Sequence, residues 1–211
     1  MQLHDTTNSL RFGKPLEQAE GVVILLHGRG SSGDDIAGLS SAFSGADLAF
    51  IAPTAKQNTW YPQRFLVPLA QNEPWLSSAL NLVDLLVAEV RAAGIGLNRV
   101  ALVGFSQGGC LALEYAARHP QRYFFIGGLS ASLIGPLNAP RTVGKLEGTP
   151  VLLGCAESDA HIPLPYVEQS AEILSRFGAT LTKQIFPGSA HAVFQEEITW
   201  LKEHATKADF A

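Results

Sequence analysis

Apolar positions in this chain alternate between two kinds of stretch. Short unbroken runs recur at Gly21 to His27, Asp47 to Ala52, Val100 to Val103, Tyr123 to Leu129 and Pro150 to Ala156. Such a run is what a strand buried on both faces of a parallel sheet requires, because neither set of alternate side chains meets water. Between these runs the apolar residues take helical spacing. The clearest case is Trp75 to Ala93, where Leu76, Leu80, Val83, Leu86, Val87 and Val90 line one face and Gly94 offers a natural stop. Cys110 to Ala117 reads as a helix that Pro120 forbids from continuing, with His119 decorating its end. Val167 to Phe177 is a helix stopped by Gly178, and Phe194 to Ala205 is a final one. Asp34 or Asp35 can cap a helix running to about Ala42, Ser9 to Lys14 reads as an edge strand, and Thr180 to Phe186 as a last strand. Strands alternating with helices throughout predict an α/β fold, a mostly parallel central sheet with helices on both faces.

Size and charge narrow the picture. At 211 residues the chain is long enough for one sizeable domain and short for two, so residues 1–211 are expected to form a single domain. The hydrophobic share of 46% against 16% charged residues suits a packed core. A formal net charge of −4 provides no basic patch, which excludes nucleic acid as an expected partner. The first residues are polar and resemble no export signal, and the longest apolar stretches, Val22 to Leu26 and Leu85 to Val90, are too short to span a bilayer. A cytoplasmic protein without stable membrane insertion is therefore expected. Cys110 and Cys155 stand in apolar company and read as buried free thiols. No two histidines sit at ligand spacing with a cysteine or carboxylate, so no metal is expected.

The chemistry concentrates at Val100-Ala101-Leu102-Val103-Gly104-Phe105-Ser106-Gln107-Gly108-Gly109-Cys110. A strand, a glycine-flanked serine and a helix follow one another without a gap. Lifting a serine Oγ clear of both elements requires a strained backbone, and side chains two positions away on either side would collide across the turn. Gly104 and Gly108 remove those side chains, and Gly109 lets the helix approach the sheet. The helix N-terminus directs free N–H groups at the space beside Ser106, where an oxyanion forms during acyl transfer.

A serine alcohol needs a base, and the base needs a carboxylate to orient it. Asp159 follows the strand at Pro150 to Ala156, and His191 precedes the last helix. The order Ser106, Asp159, His191 is the one found in α/β hydrolases. Glu157 is the rival acid and His161 the rival base. Oxyanion donors are expected from the backbone N–H groups of Arg29, in the glycine-rich loop after the first buried strand, and of Gln107. His27 reads as structural support for that loop, and the Arg29 side chain as a solvated charge. The stretch from Lys56 to Pro68 loses periodicity yet carries Trp60, Tyr61 and Phe65, so we read it as an ordered loop in which Trp60, Tyr61, Phe65 and Leu66 line a substrate pocket.

Taken together, Leu26-His27-Gly28-Arg29-Gly30, Trp60-Tyr61-Pro62, Gly104-Phe105-Ser106-Gln107-Gly108-Gly109, Asp159-x-x-Ile162-Pro163 and His191 resemble the phospholipase/carboxylesterase family, relatives of the acyl-protein thioesterases. The resemblance covers nearly the whole chain in order. It implies an α/β-hydrolase fold without a large cap domain, a Ser106-Asp159-His191 triad, and esterase activity without a cofactor. The reading that follows is a serine carboxylesterase acting on small to medium esters. Its rivals are a lysophospholipase or acyl-protein thioesterase for long chains, and a silent scaffold that binds a ligand or partner. Related folds often dimerise, although no stripe in this sequence demands a homodimer.

Overall fold

The structure is a computed structural model that describes residues 3–43, 47–136, 138–139 and 144–206. Part of the polar connection 135–148, and the ends of the chain at 1–2 and 207–211, lie outside the described residues. The strands are β1 (Ser9–Gly13), β2 (Gly21–Leu26), β3 (Leu48–Pro53), β4 (Val100–Phe105), β5 (Ile126–Leu129), β6 (Pro150–Ala156) and β7 (Thr180–Phe186). They join one sheet in the order β1-β3-β2-β4-β5-β6-β7. Only β1 is antiparallel, along the edge of β3. The chain first builds outward in one direction from β2 and then in the other from β4, so the loops leaving β2 and β4 diverge and open a crevice at their C-terminal ends.

Burial on both faces explains the unbroken apolar runs. Val22, Ile24 and Leu26 of β2 enter one core cluster, and Val23 and Leu25 enter the other. Helices α1 (Gly33–Ile36), α2 (Trp75–Ala92), α3 (Gln107–Arg118), α4 (Leu164–Arg176) and α5 (Gln195–Thr206) supply the two outer layers. Leu82 of α2, Leu111 of α3 and Leu174 of α4 cover the first face, whereas Ile36 of α1 and Trp200 and Leu201 of α5 cover the second. Each fully buried Leu, Ile or Val contributes about 1.5–3 kcal/mol of transfer free energy, so this double layer is the main source of stability. Among the described residues no inserted domain stands over the crevice, and no helix is long and apolar enough to cross a membrane.

Several boundaries depart from the sequence reading, among them the start of α3, which lies at Gln107 rather than Cys110. The helix expected up to Ala42 is a single α turn that tightens into a 3-10 segment over Ala37–Phe43. Its cap is Ser32 rather than Asp34 or Asp35: Ser32 Oγ accepts the Asp35 N–H while the Asp35 carboxylate accepts the Ser32 N–H. Strand β5 spans only Ile126–Leu129: the Tyr123 N–H goes to Thr149 Oγ1, and the approach to β4 begins with Phe124 N–H donating to Val100 O. Helix α4 starts earlier than expected, at Leu164, with Pro165 in the first turn where no N–H is needed.

Glu197 of α5 is fully buried against β6, so close to Gly154 that a Cβ there would lie 1.8 Å from Glu197 Oε1. Its Oε2 accepts the Phe194 N–H at 2.8 Å, and among the described residues its Oε1 has no hydrogen-bond partner. Burial pushes this carboxyl up to about 7, against the pull of nearby N–H groups. An acid whose pKa is raised by folding leaves the folded state most stable below the unfolded pKa, near 4.5, and that advantage is lost as pH rises through about 7. We therefore expect the stability difference between Glu197→Gln and wild type to move by ~3 kcal/mol in favour of Gln between pH 4.5 and 8. Urea unfolding across that range checks this, and a pH-independent difference would mean that the carboxyl ionises in the fold as it does in water.

Candidate active site

The β4–α3 turn places Ser106 at φ 53° and ψ −118°, a conformation that side-chain-bearing residues rarely adopt and that costs about 1–3 kcal/mol. Hydrogen bonds from Ser106 N–H to Leu129 O and from Cys110 N–H to Ser106 O, both 2.9 Å, hold it there. The flanking glycines are required by space. A Cβ on Gly104 would meet the Gly108 carbonyl at 2.4 Å, and one on Gly108 would meet Leu26 O at 2.1 Å. A Cβ on Gly109 would lie only 2.7 Å from the Ala131 Cβ and from the Gly104 carbonyl oxygen. The serine is thus lifted by a turn in which three backbone segments touch.

His191 and Asp159 converge on it. Ser106 Oγ lies 2.7 Å from His191 Nε2, and His191 Nδ1 lies 2.7 Å from Asp159 Oδ2. Because a carboxylate only accepts, Nδ1 carries the proton and Nε2 is left bare toward the serine hydroxyl. Burial opposes the Asp159 charge, yet the His191 ring and the His161 and Ile162 N–H groups outweigh it and hold the carboxyl below its usual range. Those two N–H groups reach Oδ1 at 2.7 and 3.2 Å. Glu157 turns the other way and accepts the Gly188 N–H. The loop carrying His191 is pinned by Ser130 Oγ, which donates to Ala192 O at 2.8 Å. His161 supplies only its N–H to Asp159, while its ring lies against His191 at 4.6 Å between centroids.

Above the serine lies an open cleft of about 370 Å³ whose lining includes Ser106, His191, Gly28, Arg29 and Gln107. Among the described residues the Arg29 and Gln107 N–H groups donate to no protein acceptor. The buried His27 ring holds the first of these loops. Its Nδ1 lies 2.7 Å from Gly28 O and its Nε2 accepts the Ala55 N–H at 3.0 Å, and burial lowers its pKa, keeping it neutral. Among the described residues no group of three potential metal ligands gathers.

Of the four pocket residues expected from the loop at 56–68, Tyr61 and Phe65 line the cleft, and Trp60 and Leu66 do not. Trp60 is fully buried. Its indole N–H donates to His27 O at 2.8 Å and its backbone N–H to the Gln107 side chain, so a ring with the bulk for substrate contact instead fastens the loop to the elbow. Leu66 is half-buried against the core. Sequence reasoning missed Phe105, Cys110, His161, Ile162 and Arg64 as lining residues. Cys110 is buried and its thiol is pushed up to about 12 by desolvation, so it lines the cleft as an apolar group. It also missed His4, buried under Trp60, whose Nδ1 accepts the Lys56 N–H and whose Nε2 lies 3.0 Å from Trp60 O. A lone histidine near a chain start carries no local signal of such a role.

Comparison with known proteins agrees with the fold. The model of the phospholipase/carboxylesterase family matches residues 10–208. The chain is 26% identical over 207 residues to a probable carboxylesterase SOBER1-like protein of Arabidopsis thaliana, covering 86% of this chain and 78% of that one. It is 27% identical over 190 residues to acyl-protein thioesterase 1 of Schizosaccharomyces pombe, covering 82% and 84%. The crystal structure of a phospholipase/carboxylesterase from Dyadobacter fermentans superimposes with a TM-score of 0.92 at 35% identity, over 98% of this chain and 99% of that one.

The elbow glycines differ in what they tolerate. Gly108→Ala should destabilise the fold by more than about 3 kcal/mol, because backbone of the neighbouring strand end, not a flexible side chain, fills the space. Gly30→Ala, at φ +80° with nothing within 4 Å, should cost only about 1 kcal/mol of backbone strain. Urea unfolding of both variants measures the contrast, and equal losses would refute the close approach.

Proposed function

The chain belongs to the phospholipase/carboxylesterase family, and from that premise we propose that it is a serine esterase hydrolysing small to medium carboxylic esters through an acyl-enzyme on Ser106. The observation that carries this reading is the unbroken hydrogen-bond line from Ser106 Oγ through His191 to Asp159, both links 2.7 Å, on a strained turn whose only evident use is to present the hydroxyl. In the proposed reaction His191 Nε2 takes the Ser106 proton as Oγ bonds to the ester carbonyl carbon. The Arg29 and Gln107 N–H groups receive the oxyanion. The carbonyl re-forms as the C–O bond to the alcohol breaks, and His191 gives its proton to the departing oxygen. Water, deprotonated by His191, then releases the acid and restores Ser106.

Two features favour a small substrate. A cleft of about 370 Å³ lies near the lower end of the range for ligand sites, roughly 300–1,000 Å³. One side of it is also bridged: the Arg64 guanidinium, on the 56–68 loop, donates to Ala160 O and His161 O on the acid loop at 3.1 and 3.2 Å. The rival is hydrolysis of long-chain thioesters; the fission-yeast relative is named an acyl-protein thioesterase.

A series of p-nitrophenyl esters from acetate to palmitate, with a palmitoyl thioester alongside, separates these readings. We expect kcat/KM to peak at short chains. A maximum at palmitate or with the thioester would move the assignment to the long-chain class. Ser106→Ala should lose at least about 10³-fold in kcat. Turnover surviving that substitution would place the nucleophile elsewhere, and an inactive wild type would leave a silent scaffold. Asp159→Asn, which lets the ring take the wrong tautomer, should lower kcat by about 10⁴-fold with little change in KM, and a loss under tenfold would mean that His191 is oriented by other groups.

A further inference from the structure

The cleft walls carry fixed positive charge that the proposed chemistry does not use. Arg29 and Arg64 both line the cleft around Ser106, together with His161. Each guanidinium is tied down by neutral carbonyls. Arg29 Nη1 and Nη2 donate to Pro62 O and Gln63 O at 2.9 and 2.6 Å, and Arg64 Nη2 donates to Ala160 O and His161 O. A guanidinium has five N–H donors, so most of each fork still faces outward. Among the described residues neither arginine is paired with a carboxylate. The nearby acids are committed elsewhere: Asp159 to His191, Asp35 to Ser31 and Ser32, and Glu157 to Gly188. Among the described residues no Asp or Glu lines the cleft, although the chain has 19 of them against 15 Lys and Arg.

A solvated arginine that merely keeps a surface soluble is free to move and is commonly paired. These two exposed arginines are each held by carbonyls at one cleft, Arg29 against Pro62 and Gln63 next to Arg64 and over the Tyr61 ring at 6.0 Å, and Arg64 against the acid loop, with no carboxylate among the described residues to neutralise them. Neutral hydrogen bonds to the carbonyls hold the fork in place without cancelling its charge, which pre-organises it for an anion. We propose that Arg29 and Arg64 are specificity-determining residues that select esters bearing an anionic oxygen group, a carboxylate or a phosphate, within a few atoms of the scissile carbonyl. The inference rests on the serine-esterase reading and names the substrate class for that site. It also accounts for the bridging of the cleft by Arg64, since a charged head group ends the substrate where an alkyl chain would continue.

Matched ester pairs test it, with hydrolysis followed by pH-stat titration. Ethyl hydrogen adipate against ethyl hexanoate places the charge on the acyl side, and 4-acetoxybutanoate against butyl acetate places it on the alcohol side. In each pair a carboxylate replaces a methyl group. We expect the charged-to-neutral ratio of kcat/KM to exceed one by roughly tenfold in at least one pair, the scale of partly solvated charge contacts, and to shrink as added salt shortens the screening length. In Arg64→Gln and Arg29→Gln the ratio should fall toward one, mainly through KM, with Arg64→Lys keeping part of it. A ratio cancels any loss common to both substrates, including damage to the loop that supplies the Arg29 N–H. Competitive inhibition by adipate and by inorganic phosphate, compared at equal ionic strength, tells which anion the forks prefer. Ratios at or below one in wild type, or ratios unmoved by both substitutions, overturn the inference while leaving the esterase reading intact. Turnover of neither ester of either pair overturns both.

Discussion

The close approach of backbone at the β4–α3 turn is the constraint on which the site depends. Gly108 sits so near Leu26 O and His27 O that the start of α3 and the end of β2 are in effect one piece. That contact fixes where Ser106 stands relative to the loop leaving β2, so that Gly28, Arg29, Ser106 and Gln107 line one cleft. The strain at Ser106, about 1–3 kcal/mol, is tolerable because the surrounding double-faced core is large: every β2 residue from Val22 to Leu26 is fully buried. The sheet order matters for the same reason. Only at the β2–β4 seam do two consecutive loops leave the sheet in opposite directions, and that seam is where the serine emerges.

The loop from Lys56 to Pro68 is irregular in sequence and fixed in space, and the difference is made by polar side chains that reach it from elsewhere. Gln107 accepts the Trp60 N–H and donates to Tyr61 O. Arg29 takes Pro62 O and Gln63 O, and Asn72 satisfies the Gln63 N–H and Arg64 O. His4 and His27 hold Lys56 and Ala55 by their N–H groups. Backbone groups that no ladder can pair are thus satisfied one by one, as buried polar groups must be. Most of these side chains also belong to the site or adjoin it, so the pocket wall and the proposed oxyanion donors are held by the same bonds.

How far the sequence revealed this follows from the range of each signal. The strands and the elbow were legible because their information is local: an apolar run implies burial on both faces, and glycines at fixed offsets imply a tight turn. The meeting of Ser106, Asp159 and His191 could be anticipated from their order along an alternating strand–helix pattern. The pocket could not, because an aromatic ring in a loop gives no sign of which way it points. Trp60 turned inward to bond His27 O, and Leu66 packed on the core, while the charged Arg64, which hydropathy assigns to solvent, lies along the cleft. The cap at Ser32 was misplaced by a few residues for a related reason. Ser32 stands three before Asp35, the capping-box order, but Asp34 and Asp35 are themselves good cap residues and compete for the assignment.

Electrostatics around the proposed base come down to how many negative charges stand beneath His191. Asp159 is one, held by donors to both oxygens and kept ionised. The Cys155 thiol lies close behind it, with Sγ 3.8 Å from Asp159 Oδ2. Burial, together with the Asp159 charge, pushes that thiol to about 12, so it stays neutral beside the carboxylate. In the proposed cycle Asp159 is therefore the anion in direct contact with the ring, placed to stabilise the imidazolium in both proton transfers, from Ser106 and to the departing oxygen.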